Sequence, residues 1–162
     1  MSTWIFLRGL TRESRHWGNF PETFRRELPD ARILMPDLPG NGVLNSHESP
    51  LRVEEMAEGL RARLAGQGLR PPYHVLAMSL GAMVAVAWAA RHPHEVGCVV
   101  LINTSLRPFS PFYRRFKPSN YPRLLKLALL GGSDLDWEAT ILQLTSRQAE
   151  YPEEVLKNWV AY

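Results

Sequence analysis

Residues 72–102 restrict the possible folds of this chain more than any other stretch, and their sequence is PYHVLAMSLGAMVAVAWAARHPHEVGCVVLI. Residues 73–77 form a short, mostly apolar run that is typical of a buried parallel strand. Residues 80–90 stay apolar for too long to be a strand and therefore indicate a helix. A second apolar run, Val96–Ile102, predicts another strand. The bend between the first strand and the helix falls at Ser79, whose hydroxyl is expected to face solvent at the sheet edge.

Small residues stand two positions away from this bend on each side, as a tight strand-to-helix turn requires. They are Ala77 and Gly81. The five residues Ala77-Met78-Ser79-Leu80-Gly81 resemble the nucleophile elbow of the α/β-hydrolase superfamily, with Ala77 where the family usually has glycine. The strand before the motif and the helix after it supply the context that the motif needs. The alternative is a serine that only caps a buried helix.

The resemblance implies roles for residues on two loops. Ser79 would be the nucleophile, and the backbone N–H groups of Leu80 and Leu10 would bind the oxyanion. Leu10 belongs to a polar loop that follows a first short strand, residues 3–7, and Arg8 stands where the family usually has histidine. The alternative for this loop is an ordinary strand-to-helix connection. The side chains expected to contact the substrate are Arg8, His16 and Met78.

Strand and helix patterns alternate before and after this loop. Aromatic and leucine residues recur every four positions over residues 20–28 and predict a helix, and residues 32–35 predict a second strand. Residues 53–64 carry one apolar stripe, and the helix they predict would start at Ser49 as N-cap and Pro50. Four strands separated by helices predict an α/β fold, with a parallel sheet covered by helices on both faces. The resemblance implies a partial α/β-hydrolase fold with the spatial order second, first, third, fourth strand, followed by a helical cap segment.

The loop after the second strand also resembles the superfamily. Its sequence over residues 36–42 is PDLPGNG, which contains Asp-x-x-Gly-x-Gly. Asp37 is expected to be structural, because an aspartate in such a loop accepts hydrogen bonds from nearby backbone N–H groups. We therefore do not assign it a catalytic role.

The composition changes after Asn103, so we assign residues 1–105 to the hydrolase core and residues 106–162 to a helical cap or lid. Helical patterns cover residues 121–130, 134–147 and 152–162, with Ser119 or Asn120 starting the first, Gly131-Gly132 ending it and Ser133 capping the second. Six basic residues and no acidic residue lie between positions 106 and 133: Arg107, Arg114, Arg115, Lys117, Arg123 and Lys126. They form either a solvated face of the cap or a surface that attracts an anionic substrate or carrier. No nucleic-acid-binding motif accompanies them, so nucleic acid is not an expected partner.

The chain lacks two groups that a nucleophilic serine needs. A serine hydroxyl requires an adjacent base, normally a histidine held by a carboxylate, and the resemblance implies that both follow later strands. No histidine follows His94, and the acids after residue 102 fall in the predicted cap helices. His16, on the loop expected beside Ser79, is the only other candidate base. We therefore expect the chain to be the N-terminal part of a longer protein.

A bare sheet edge supports the same expectation. If the fourth strand is an edge, it exposes a wholly apolar strand, which natural proteins avoid. Further chain beyond residue 162 would cover it. The alternative, if the chain ends at Tyr162, is a homodimer that pairs the two edges.

Composition sets the remaining limits. The 162 residues with 45% apolar content suit one domain, and a net charge of +3 indicates no particular partner. The single cysteine, Cys98, is expected to be a buried thiol, so no disulfide or metal framework is predicted. The N-terminus lacks a signal-peptide pattern, and the uncharged run over residues 75–90 is too short to span a membrane. We expect a cytoplasmic protein that uses no cofactor or metal, contacts no membrane and acts on a small molecule.

Two functional classes fit these observations. The first is a serine hydrolase that cleaves carboxylic esters or thioesters, and that is inactive or nearly so as this fragment because the triad Asp and His are missing. The second is a non-catalytic α/β-hydrolase-like module that binds a ligand or a partner, which Arg8, Ala77 and the missing base favour. Ser79 argues against a dehalogenase with a carboxylate nucleophile. The fold itself does not name the substrate.

Overall fold

The computed structural model of the chain describes residues 2–106, 109, 118–145 and 159–160. The chain divides into two compact units, residues 1–106 and residues 107–162. The first unit contains the residues singled out as nucleophile and oxyanion donors. The second unit contains the segment interpreted as a cap.

Four parallel strands form one sheet in the first unit, in the order β2-β1-β3-β4. The predicted order is therefore confirmed, and so is the α/β fold class. Because β1 and β3 occupy the centre, the loops that follow them lie side by side at the carboxyl edge of the sheet. The strands are β1 (Ser2–Leu7), β2 (Ala31–Leu34), β3 (Tyr73–Met78) and β4 (Val96–Ile102).

Three helices cover the two faces of this sheet, and alternate residues of the strands supply the two cores. Ile5 and Val75 point to one face, where they join Leu60 and Trp88 in a fully buried cluster. Phe6 points to the other face and packs against aromatic residues of the loop after β1 and of the first helix. The helices are α1 (Phe20–Glu27), α2 (Val53–Gly66) and α3 (Leu80–Arg91).

The start of α2 differs from the prediction, which placed the N-cap at Ser49 and Pro50. The helix begins at Val53, and its N-cap residue, Arg52, makes no side-chain cap hydrogen bond. Acidic residues in the first turn, Glu54 and Glu55, interact favourably with the positive end of the helix dipole. Charge in the first turn therefore replaces the hydroxyl cap that the sequence suggested.

The edge strand β4 exposes apolar side chains, as expected. Val100 is 39% exposed and Leu101 is 40% exposed. Cys98 is exposed as well, so the prediction of a buried thiol is wrong. An apolar sequence predicts burial only if something covers the strand, and within the described residues β4 pairs on one side alone, with β3.

The second unit contains two described helices, α4 (Tyr121–Leu130) and α5 (Asp134–Thr145). Gly131 ends α4, and the Ser133 hydroxyl accepts a hydrogen bond from the Asp136 N–H at 3.2 Å, so both predicted signals are confirmed. The predicted helix over residues 152–162 lies outside the described residues, except for 159–160, which are helical. Every helix in the described part of the chain is too short or too polar to traverse a membrane.

Candidate active site

Ser79 stands at a strained bend between β3 and α3. Its backbone has φ 51° and ψ −116°, and its side chain makes no capping hydrogen bond to the helix that follows. A residue with a Cβ atom pays about 1–3 kcal/mol for such a conformation, which persists only where the surroundings enforce it. The residue is exposed. The alternative of a serine that merely caps the helix is therefore wrong, and the predicted elbow geometry is confirmed.

Residues at and just after the end of β4 form hydrogen bonds with both the backbone N–H and the backbone carbonyl of Ser79. Its N–H donates to the Ile102 carbonyl at 3.1 Å, and the Thr104 hydroxyl donates to the Ser79 carbonyl at 3.1 Å. Asn103, between these two partners, also has a positive φ of 47°. The carbonyl of Ser79 accepts a further bond from the Ala82 N–H at 3.1 Å. These bonds hold the serine in its strained conformation.

Two glycines allow the loop after β1 to approach the elbow. A Cβ atom on Gly81 would lie 2.5 Å from the Arg8 carbonyl oxygen and 2.8 Å from the Leu7 carbonyl oxygen. A Cβ atom on Gly9 would lie 3.0 Å from the Ser79 Cβ and 3.4 Å from its hydroxyl oxygen. The loop that begins at Gly9 therefore lies directly against the serine, as the sequence predicted.

The proposed oxyanion donors flank this contact. Leu80 is the first residue of α3, and the first N–H groups of a helix have no acceptor within the helix. Leu10 follows Gly9 in a turn closed by a hydrogen bond from the Arg12 N–H to the Gly9 carbonyl at 3.2 Å. Both backbone N–H groups thus belong to segments that adjoin Ser79. Their role as an oxyanion hole stays a prediction.

Arg8 places a guanidinium beside the same elbow. Its Cζ lies 4.9 Å from the centre of the Trp17 ring, and its Nη1 lies 3.0 Å from the sulfur of Met78. Its Nε is buried and has no hydrogen-bond partner among the described residues. Burial, and then the charge of Arg12, lower the pKa of Arg8 to about 10. The predicted substrate-binding pair Arg8 and Met78 is brought together next to the nucleophile.

His16 is held by its own loop. Its Nε2 lies 3.1 Å from Nη1 of Arg12, and its Nδ1 accepts a hydrogen bond from the backbone N–H of Glu13 at 3.2 Å. Nδ1 lies 3.1 Å from a carboxylate oxygen of Glu13. Burial, and then the charge of Arg12, lower the pKa of His16 to about 4. An imidazole whose two ring nitrogens are already engaged within its own loop is poorly suited to take a proton from Ser79, and whether it contacts a substrate stays a prediction.

Glu13 and Asp37 order the loops around the site. Glu13 accepts hydrogen bonds from the N–H and the guanidinium of Arg15, both at 3.0 Å. Although burial acts in the opposite direction, these bonds hold the pKa of Glu13 below its usual value. Asp37 accepts bonds from the Ser14 N–H at 2.8 Å and the Val43 N–H at 3.0 Å. Its predicted structural role is confirmed.

Two residues that contribute to this arrangement were not predicted from the sequence. Glu13, three positions before His16, forms a reciprocal cap with it, and the acidic residue at the start of a short helical turn was a usable signal. Thr104 had no such signal, because its partner Ser79 lies 25 positions earlier. Only the pairing of β3 with β4 brings them together.

The other histidines are engaged or positioned elsewhere. His74 is the second residue of β3, near the end of the strand opposite Ser79, and its ring lies 5.0 Å from that of Trp4. His92 follows α3 and its Nε2 lies 2.8 Å from a carboxylate oxygen of Glu58. A cavity of about 390 Å³ at that opposite end is lined by residues that include Arg61, Tyr73 and Trp88. It does not include Ser79 and is not the candidate active site.

Comparison with known proteins agrees with this architecture. A family model described as alpha/beta hydrolase fold matches residues 5–128. The biotin biosynthesis bifunctional protein BioHC of Teredinibacter turnerae is 32% identical over 105 residues, which make up 64% of this chain and 17% of that protein. The pyrrolizixenacetamide deacetylase of Xenorhabdus hominickii is 30% identical over 92 residues, which make up 56% of this chain and 33% of that protein.

Solved structures show the same similarity in three dimensions. A carboxylesterase structure from the archaeon Nitrososphaera gargenis matches with a TM-score of 0.70 and 15% identity, over 98% of this chain and 57% of that one. At this identity the similarity concerns the fold alone. The chain spans 17% and 33% of the two curated relatives and just over half of the solved structure.

Proposed function

Because the chain belongs to the α/β-hydrolase fold family, whose model matches residues 5–128, we propose that it carries the nucleophile of a serine hydrolase that cleaves carboxylic esters or thioesters. The observation that carries this proposal is the conformation of Ser79, which is strained and exposed. Its backbone N–H is hydrogen-bonded to the end of β4, and the loop that starts at Gly9 contacts it. Strained backbone of this kind concentrates at functional sites.

The chemistry assigned to these residues is acyl transfer. The Ser79 oxygen attacks the carbonyl carbon of the substrate, and its proton passes to a base. The N–H groups of Leu80 and Leu10 stabilise the negative charge that develops on the carbonyl oxygen. When the tetrahedral intermediate collapses, the alcohol or thiol leaves with a proton, and water then hydrolyses the acyl-serine.

The base and its supporting acid are proposed to come from residues beyond position 162. His16 is neutral and hydrogen-bonded within its own loop, and no histidine follows His94 in the chain. The small share of the relatives that the chain spans supports the same proposal. Under it, the 162-residue chain alone has little or no activity. Residues 107–162 are proposed to act as the cap over the acyl pocket, and a cytoplasmic location stays a prediction.

The name of one relative supports acyl chemistry. The Xenorhabdus protein, 30% identical over 92 residues, is named as a deacetylase, and that name describes the removal of an acyl group. We transfer that reaction class, and no particular substrate, to this chain.

A fluorophosphonate probe tests the proposal, because it reacts with activated serines. In the protein isolated from the cells that naturally express it, we expect the probe to label the peptide that contains Ser79. We expect Ser79→Ala to reduce the labelling rate by about 1,000-fold or more. Ser46→Ala, at an exposed turn, is the matched control and labels at the wild-type rate. Labelling that survives Ser79→Ala contradicts the assignment.

The competing function is a binding module without catalysis. Two observations favour it. His16 is neutral and hydrogen-bonded within its own loop, and no histidine of the described residues is hydrogen-bonded to Ser79. In that case the wild-type protein does not react with the probe, while small ligands still raise its melting temperature. The same labelling experiment therefore separates the two functions.

A further inference from the structure

The guanidinium of Arg8 is a partly buried cation that has no strong hydrogen-bond acceptor among the described residues. Its hydrogen-bond partner in the described structure is the thioether of Met78, which is a weak acceptor. Nε is buried and has no partner there. Stacking on Trp17 at 4.9 Å compensates part of the lost hydration, because a cation is attracted to the face of an indole ring. The charge of Glu13 raises the pKa of Arg8 only in part, and no hydrogen bond joins the two among the described residues, so keeping this cation partly out of water is costly and calls for a function.

The position of Arg8 suggests what that function is. Met78, which Arg8 contacts, immediately precedes Ser79, and Gly9, which follows Arg8, lies against the serine. The guanidinium therefore contacts the residue that directly precedes the nucleophile, and its own chain neighbour contacts the nucleophile. The residue is only partly buried, so a ligand can reach it. The nearest acid in sequence, Glu13, is already bonded to Arg15 and Ser14.

We propose that Arg8 binds an anionic group of the substrate, so that the preferred substrates are esters or thioesters that carry a carboxylate or a phosphate. This inference rests on the function proposed above. A planar guanidinium presents paired N–H donors that match two oxygens of a carboxylate or phosphate. The anion would accept the hydrogen bonds for which the guanidinium of Arg8 has no strong acceptor among the described side chains. Trp17 and Met78 would hold the guanidinium in place. The anionic group lies on either the acyl or the alcohol side of the ester, and the two sides are tested separately.

The test compares the kcat/KM values of matched charged and neutral esters, measured with the protein in the form that its natural cell expresses. For the alcohol side the pair is para-acetoxybenzoate and its methyl ester. For the acyl side the pair is mono-para-nitrophenyl adipate and para-nitrophenyl hexanoate. We expect Arg8→Met to lower kcat/KM for the charged ester of one pair by about 10- to 100-fold, mainly through KM, and to change the neutral ester by about 2-fold or less. Arg8→Lys, which retains the charge but not the paired donors, gives an intermediate loss.

Stability separates this role from a structural one. If Arg8 serves binding, Arg8→Met leaves the melting temperature unchanged or raises it, because the variant removes a partly buried charge whose Nε has no acceptor among the described residues and whose attraction to Glu13 only partly offsets the lost hydration. Arg26→Met, at an exposed position of α1, is the control and preserves the preference for the charged ester. Equal losses on both members of each pair, together with a lower melting temperature, would overturn the proposal.

Failure of the proposed function gives a different result. If the wild-type protein neither reacts with the fluorophosphonate probe nor cleaves any of the four esters, the hydrolase proposal is wrong, and ligand binding then decides the role of Arg8. Benzoate, but not benzyl alcohol, should raise the melting temperature of the wild-type protein, and Arg8→Met should abolish that shift. An equal response to both compounds, or no response to benzoate, overturns the anion-binding role.

Discussion

At the scale of single residues, the close approach at Gly81 is what makes the elbow possible. The carbonyl oxygens of Leu7 and Arg8 occupy the space that a side chain at this position would need. Backbone atoms cannot move aside as the end of a flexible side chain can. The small residue of the motif is therefore required by the packing of β1 against the start of α3.

The corresponding prediction is that Gly81→Ala destabilises the fold by about 1–3 kcal/mol, because the new methyl group overpacks against backbone. Urea denaturation measures the change. Gly59→Ala is the matched control, since Gly59 lies in α2 with no atom within 4 Å of an added Cβ. There alanine should stabilise by about 0.5–1 kcal/mol, through its higher helix propensity. A neutral Gly81→Ala would show that the loop after β1 does not press on the elbow.

His16 makes a second prediction at this scale. The unfolded chain protonates this imidazole below about pH 6.5, whereas burial and the charge of Arg12 lower its pKa in the folded state to about 4. Between these values the unfolded state binds more protons, so stability is full above about pH 6.5 and falls as the pH drops toward about 4. We expect His16→Gln to remove about 1–2 kcal/mol of this loss, after discounting for solvent screening.

Urea denaturation from pH 7 to pH 4 measures this dependence. His47→Gln, at an exposed turn, is the control and should retain the wild-type slope. Carboxylates contribute at lower pH: the guanidinium of Arg61 lowers the pKa of Glu95 to about 2, so its contribution is present above about pH 4.5 and is lost below it. An unchanged slope in His16→Gln between pH 6.5 and pH 4.5 would contradict the assignment.

At the scale of elements, α2 and α3 are joined by polar contacts at the edge opposite the nucleophile. Arg61 of α2 donates from Nε to Glu95 at 2.7 Å and from Nη1 to Glu58 at 2.6 Å. The indole N–H of Trp88, which is fully buried in α3, donates to Glu95 at 2.8 Å. Glu95 thus links the two helices and satisfies a donor inside the core.

We therefore predict that Glu95→Ala lowers the free energy of unfolding by about 1–3 kcal/mol, because it leaves a buried indole N–H without an acceptor. Denaturation followed by tryptophan fluorescence is the measurement. Glu48→Ala, at an exposed position of the loop before α2, is the control and should change stability by about 0.5 kcal/mol or less. Equal effects of the two substitutions would show that the bond to Trp88 contributes little.

Element boundaries show where local patterns reach their limit. The strand Val96–Ile102 and the helix Tyr121–Leu130 match their predicted bounds, because periodicity and turn residues define them locally. The start of α2 was placed too early, since Ser49 and Pro50 resemble a helix start but precede an extended residue, Arg52. Whether a capping residue is used depends on how the preceding loop packs, and the sequence does not specify that.

At the scale of the whole molecule, the sheet of the first unit has a centre formed by β1 and β3 and two edge strands, β2 and β4, and the β4 edge is the wholly apolar one. β1 and β3 are each paired on both sides, whereas β4, within the described residues, pairs only with β3 and leaves Val100 and Leu101 exposed. An unpaired apolar edge favours pairing with additional strand. The homodimer suggested for a chain that ends at Tyr162, and the longer protein preferred to it, both stay predictions.

The sequence alone determined the α/β class and the location of the elbow at Ser79, because these depend on periodicity and on residues adjacent in the chain, whereas the strand order came from the resemblance to the α/β-hydrolases. The tertiary structure decided what surrounds the serine. The Thr104 hydroxyl, 25 positions further along the chain, donates a hydrogen bond to the Ser79 carbonyl, and Arg8 contacts both Trp17 and Met78. It also decided that Cys98 is exposed, because burial requires a covering neighbour as well as an apolar strand. Contacts between residues distant in the chain exist only after the strands have paired, so no local pattern specifies them.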